Sequence, residues 1–243
     1  MSVEFPRALL REKTHAWDLA GVAVAGGQGS GGIVPGITRS DGGGFWTCVM
    51  SNVSLSGGRG LAGLDRQKVS TLLWRAVRQI CDGGVVSIIV PRNDALFRPW
   101  PAGVSQTEGF NIPHDDGAPF SDGAGYYQPI IDITCAAADL RATSLDIDIA
   151  YAGQLMGGES FSIEHEAAGW RMYEIATVDQ VDDSHATIAF NPPLREAVTD
   201  GTVLEFDRPR CLMRLVQPSS MNLTVQPWTF NSASVDFVEA PIP

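Results

Sequence analysis

Ser160-Phe-Ser-Ile-Glu164, Arg171-Met-Tyr-Glu-Ile175, Ala186-Thr-Ile-Ala-Phe190, Thr202-Val-Leu-Glu-Phe206 and Cys211-Leu-Met-Arg-Leu215 are the five short runs, all within residues 153–216, whose reading decides the fold. Each is rich in aromatic and β-branched residues, and most alternate apolar with polar positions, the period of a half-buried strand. Turn chemistry separates them: Gly157-Gly158, Ala168-Gly169, Asp182-Asp183, Asn191-Pro192-Pro193, Asp200-Gly201 and Pro209. Five strands at this spacing predict a small closed or nearly closed barrel, an arrangement that hides its edges. Asn191 is placed to cap a helical turn begun by Pro193, and Asp200-Gly201 to end it.

Outward from this core, Leu145-Asp-Ile-Asp-Ile-Ala150, Met221-Asn-Leu-Thr-Val-Gln226 and Ser234-Val-Asp-Phe-Val-Glu239 alternate in the same way, and residues 128–136 read as another strand. They predict a larger sandwich of residues 1–152 and 217–243, with residues 153–216 as a barrel inserted into it or appended to it. One helix is expected at residues 66–81. Asp65 is its cap, Val69, Leu72, Leu73, Ala76 and Ile80 form its apolar face, and Gly83-Gly84 its stop. Arg66, Lys68, Arg75 and Arg78 fall mostly on the other face, where a solvated face explains them better than a site for anions. The run Val85-Val-Ser-Ile-Ile-Val90 follows as a strand.

The chain has 243 residues, 44% hydrophobic and 19% charged, with 26 glycines and 15 prolines, the balance of a globular, mainly β protein with a real core. Its formal net charge of −11 argues against general binding to the DNA backbone, which calls for clustered Lys and Arg. Cys48, Cys81, Cys135 and Cys211 stand far apart, outside any metal-ligand spacing, and read as buried free thiols. Neither a signal peptide nor a run long enough to span a bilayer is evident, so synthesis in a reducing cytoplasm and no membrane partner are expected.

The search for chemistry is short. Gly27, Gly29 and Gly32 fit a dinucleotide fingerprint, but Pro35-Gly36 follows where a helix must begin, so no cofactor is expected. His114, Asp115, Asp116 and Asp122 sit in a long irregular segment, residues 92–125, and can gather around a cation. Turn-forming Asp-Gly pairs explain the same residues, and no metal site is assigned. His15, His114, His165 and His185 lie in no catalytic context, and Glu164-His165-Glu166 reads as a solvated hairpin tip. Glycoside hydrolysis needs only two carboxylates, which spacing cannot test. Trp46, Trp100, Tyr126, Tyr127, Trp170 and Trp228 can stack on sugars, though strand aromatics are more often core. No catalytic residue is assigned.

Several runs together carry a resemblance: Phe5-Pro6, the helix-then-strand unit of residues 66–90, Ile112-Pro-His-Asp-Asp-Gly-Ala-Pro-Phe-Ser-Asp-Gly123, Gly158-Glu-Ser-Phe-Ser-Ile163, Tyr173-Glu-Ile175, Asn191-Pro-Pro-Leu-Arg-Glu-Ala-Val198 and Phe206-Asp-Arg-Pro-Arg-Cys-Leu-Met-Arg214. In these the chain resembles the distal tail proteins of long-tailed bacteriophages and gene transfer agents. The resemblance implies a non-enzymatic structural protein of the virion tail tip, assembled in the bacterial host cytoplasm. It implies a β-sandwich belt domain with one helix that forms a homo-oligomeric ring, typically a hexamer, between the tail tube protein and the baseplate hub protein. DNA would pass through the lumen without specific binding. Residues 153–216 would be the outer domain, which in some relatives binds carbohydrate or receptor-binding components; here Trp170 or Tyr173 would serve a sugar site. A carbohydrate-binding module of the adsorption apparatus is the alternative, and a glycan hydrolase a third.

Overall fold

The protein, seen in a computed structural model, is described over residues 3–26, 36–55, 63–101, 109–112, 126–128, 131–225 and 231–242. In chain order the elements are β1 (Thr14–Ala20), β2 (Ala23–Ala25), β3 (Ile37–Arg39), β4 (Phe45–Ser54), α1 (Gly63–Ile80), β5 (Ile88–Pro91), β6 (Gly109–Ile112), β7 (Tyr126–Gln128), β8 (Asp132–Cys135) and β9 (Ser144–Tyr151). There follow β10 (Ser160–His165), β11 (Gly169–Gln180), β12 (His185–Asn191), β13 (Thr202–Val203), β14 (Arg210–Leu215) and β15 (Ser232–Glu239). The fold is mainly β with one α-helix, as the alternation of the sequence implies.

Two compact units divide the chain: residues 1–91 with 210–243, and residues 92–209. The expected boundaries at 152/153 and 216/217 are therefore displaced at both ends. β8 and β9 leave the first unit because their hydrogen bonds run to β12 and β13. β14 leaves the barrel because Cys211 pairs with Val90 and Leu215 with Phe237.

In the second unit the sheet runs β10-β11-β12-β9-β8-β13, antiparallel throughout. Two residues beyond β13, Glu205 exchanges both backbone hydrogen bonds with Ser162 of β10, at 2.9 and 3.0 Å, and so closes the sheet on itself. A closed sheet leaves no row of unpaired amides and points alternate side chains inward. Phe161, Ile163, Tyr173, Ile175, Ile188, Phe190, Leu204 and Phe206 fill the interior. Phe161 sits at its centre, with ring centroids 5.3 to 5.6 Å from Phe206, Tyr173 and Phe190.

Residues 191–198 do not form the expected helical turn. The Asn191–Pro192 bond is cis, and the segment runs beside residues 138–142. Leu194 N–H bonds the Ala142 carbonyl at 2.9 Å, Arg141 N–H the Leu194 carbonyl at 3.0 Å, and Ala138 and Val198 exchange a pair. Backbone groups satisfied by a neighbouring strand have no call for helical bonds, and this path buries Leu194 and Val198 in the barrel core. Nearby, Gly153 donates its N–H to the Pro99 carbonyl at 2.8 Å, and a Cβ there would lie 2.1 Å from the Trp100 carbonyl oxygen, a position open only to glycine.

In the first unit the sheet runs β1-β4-β15-β14-β5. Its inner face buries Trp46, Cys48, Met50, Val235, Phe237, Met213 and Ile88, and Phe5 meets Phe237 edge-on at 5.7 Å. Residues 221–225 are not the expected strand; the Met221 carbonyl accepts the Trp74 indole N–H at 3.2 Å instead. α1 spans slightly more than the expected residues, but its buried face is Ser70, Trp74, Val77 and Cys81. Val69, Leu72 and Ile80, expected to face the core, are 38%, 51% and 39% exposed, and Ala76 is exposed too. Gly84, at φ +100°, ends the helical path, and a Cβ there would meet the Leu215 carbonyl at 3.0 Å. All four cysteines are free and buried.

The two faces of α1 separate on mutation. Trp74→Ala is expected to lower unfolding free energy in a urea titration by about 3–5 kcal/mol, the usual cost of emptying a buried indole site. Arg75→Ala, on the exposed side, should change it by less than about 0.5 kcal/mol.

Candidate functional site

The second unit holds the most organised polar cluster in the described residues, at the end of the barrel where β10 turns into β11. Tyr173 lies in the core with no exposed surface, and its hydroxyl accepts the Arg195 backbone N–H at 3.1 Å. The same hydroxyl shares a 2.7 Å hydrogen bond with His165 Nε2. Burial pushes the His165 pKa down to about 4; nearby Glu196 works against that shift and Arg171 adds to it. The ring is thus neutral at pH 7, and its tautomer sets which of the two groups donates in the shared bond. Arg171, 1% exposed, donates Nε–H to the Ala168 carbonyl at 2.9 Å. Glu196 accepts the Ala167 and Ala168 amides at 3.1 and 2.9 Å, and these bonds hold its carboxyl below its usual pKa.

This cluster ties the β10–β11 turn to residues 195–196, and apart from the His165–Tyr173 pair its contacts link backbone to side chain. Its one hydroxyl–imidazole pair is buried, with Tyr173 wholly enclosed and His165 5% exposed. The expectation that Glu164-His165-Glu166 is a solvated tip holds for the two glutamates, which are exposed, but not for His165, which is 5% exposed. Tyr173 stands inside the core, so the suggested sugar contact at that residue is corrected: a ring with no exposed face cannot stack on a ligand. Trp170 is half-buried.

His185 occupies the opposite kind of site, an exposed tip between β11 and β12. Its Nδ1 lies 2.8 Å from Asp182 Oδ1 and 3.0 Å from Ser184 Oγ, while Nε2 faces Asp148 at 3.4 Å. The Asp182 hydrogen bond and charge, with Asp148 behind, raise its pKa. A catalytic Ser-His-Asp set needs serine and aspartate on different ring nitrogens. Here Asp182 and Ser184 share Nδ1, and although Asp148 faces Nε2, the Ser184 N–H and hydroxyl are both committed to Asp182 Oδ1. The arrangement closes a turn.

Beside this tip lies a depression of about 330 Å³ lined by Ile149, Gly153, Gln154, Leu155, Gln180 and Asp183. Its lining supplies two amides, one carboxylate and apolar side chains, and lacks the facing carboxylate pair of a glycosidase.

Charge is divided sharply between the units. The first carries 11 Lys and Arg against 8 Asp and Glu, a formal +3; the second carries 6 against 20, a formal −14. The whole acidic excess therefore belongs to residues 92–209, a partition the overall net charge conceals.

His114, Asp115, Asp116 and Asp122 lie outside the described residues, as do Gly27, Gly29, Gly32 and Trp228. Tyr126 and Tyr127 lie on β7. Among the described residues no group of three or more His, Cys, Asp and Glu is placed to hold a metal ion, and no helix is long and apolar enough to cross a membrane. Trp46 is core, in edge contact with Trp17 at 6.3 Å, and Trp100 lies under the Arg98 guanidinium at 5.6 Å. No protein-family model and no curated protein matches the chain.

The two histidines have opposite signatures in acid. His165, lowered from 6.5 to about 4 by folding, contributes stability that is complete above pH 6.5 and lost as pH falls toward 4. His185, raised by folding, contributes stability that is present below pH 6.5 and lost as pH rises through its folded value. Urea titrations should therefore show wild-type protein losing on the order of 2 kcal/mol through His165 between pH 6.5 and 4, after allowance for partial screening. His165→Gln should flatten that window, and His185→Gln should leave it little changed while removing the loss of stability above pH 6.5.

Proposed function

We propose that this chain is a structural, non-enzymatic ring subunit of a phage-like tail, joining the tail tube to the baseplate hub at the virion tail tip. The resemblance of its motif runs to distal tail proteins carries the reading. The mainly β fold with one helix and a closed barrel is compatible with it. The ring-forming part is then the first unit, residues 1–91 with 210–243, and the outer part is residues 92–209.

Acidity suits a channel through which DNA passes, because like charges repel. The acidic excess belongs to the second unit, while the first is formally +3. Overall net charge thus lends no support to a DNA-repelling lumen built from the first unit, and the reading stands on the motif runs and the fold.

Electron microscopy of the purified full chain, alone and mixed with the tail tube protein of the same particle, tests it. The expected result is a closed ring with a central hole, of about six copies if the family pattern holds. A strict monomer under both conditions overturns the proposal.

A second reading, carbohydrate binding during host adsorption, is favoured by the depression at Gln154, Gln180 and Asp183. Glycan-array binding that is lost in Gln154→Ala and Asp183→Ala would support it. An array without signal removes it and leaves the ring untouched.

A further inference from the structure

The helix α1 is apolar over a wider arc than its own unit covers. At 100° per residue, Leu72, Ala76, Val69, Ile80, Leu73, Val77 and Trp74 sweep roughly 200° of its circumference. The buried residues Ser70, Trp74, Val77 and Cys81 occupy only one side of that arc. Val69, Leu72 and Ile80 occupy the other, 38–51% exposed, and the patch continues past the helix into Val85, 81% exposed. Lys68 and Arg75, both exposed, border it on the Leu72 side.

The same unit has a second uncovered face. In β4, Trp46, Cys48 and Met50 point inward, so Phe45, Thr47 and Val49 point the other way, and Phe45 and Val49 are 44% and 41% exposed. Register places Ala16 and Asp236 beside Val49, and Asp18 and Val238 beside Thr47. This face is thus an apolar strip bordered by Asp18 on β1 and Asp236 on β15, with Arg214 one strand beyond Asp236.

We propose that the outer face of α1 in one copy packs on this open sheet face in a second copy, so that copies join head to tail through two different patches. Three observations favour a second copy as the occupant. A half-exposed sheet face calls for a covering layer, and an apolar helix stripe is the standard one. Both surfaces belong to every chain, so the contact is heterologous and closes into a ring if the rotation permits. The charges are complementary in sign: Lys68 and Arg75 share one flank of the helix stripe, and an acid, Asp18 or Asp236, borders the sheet strip on whichever side that flank meets. The contact rests on the ring reading above and names its interface.

Cysteine pairing tests the contact on the full chain, whose four native cysteines are all buried. Leu72→Cys mixed with Val49→Cys should give one covalent dimer on mild oxidation, the double variant a ladder of multiples, and neither single variant alone a dimer. Leu72→Asp and Val49→Asp should each weaken association by about tenfold or more in analytical ultracentrifugation, with circular dichroism unchanged. Assembly that survives both Asp substitutions without cross-linking overturns this contact and leaves the ring. A dimer of Leu72→Cys with itself overturns the head-to-tail arrangement. A chain that never associates, alone or with tail tube protein, overturns the ring reading and this contact together.

Discussion

The exchange of two backbone hydrogen bonds between Ser162 and Glu205 is the constraint on which the second unit depends. Without it the sheet from β10 to β13 would have two open edges, and its inward side chains would face water at each end. With it, the interior is sealed and inward positions are obliged to be apolar, which Phe161, Ile163, Leu204 and Phe206 supply. Closure also frees the outer surface from any packing duty. That surface can then carry most of a formal −14 without disturbing the core.

The polar cluster around Tyr173 belongs to the same logic. A phenol buried against Phe161 and Phe190 needs partners for its hydroxyl, and it finds them in the Arg195 amide and His165. Residues 191–198 are thereby fastened over one end of the barrel from two sides, by strand-like bonds to residues 138–142 and by the Tyr173 and Glu196 contacts. A histidine kept neutral by burial suits this position, because a charged ring beside Arg171 would be opposed by both desolvation and repulsion.

The first unit solves its packing problem only in part. Its sheet buries one face beneath an apolar layer that includes Phe5, yet α1 keeps half of its apolar arc in water and the other sheet face stays half-exposed. Burying such surfaces against another molecule gains the same free energy per unit area as burying them in a core, once the cost of association is met. The second unit thus fills a barrel interior of its own, while the first leaves part of a helix stripe and one sheet face uncovered; exposed apolar side chains such as Leu96, Phe97 and Met156 occur in the second unit as well.

The strands of the barrel were legible from period-two alternation and turn residues, because these local rules act within a few positions of the chain. The existence of α1, its glycine stop and the buried thiols were legible for the same reason. Which half of the α1 arc is buried was not, since Trp74 and Val77 are as apolar as Leu72 and Ile80; the buried side is the one whose Trp74 indole meets the Met221 carbonyl and whose Ser70 hydroxyl meets the Leu55 carbonyl. Nor could alternation say that Cys211–Leu215 would pair with Ile88–Val90 across more than a hundred residues, or that β8 and β9 would complete the barrel. Local sequence determined which segments extend, coil and turn; pairing partners, the burial of His165 and the segregation of charge were decided by tertiary structure, because each depends on contacts between residues that the chain order keeps apart.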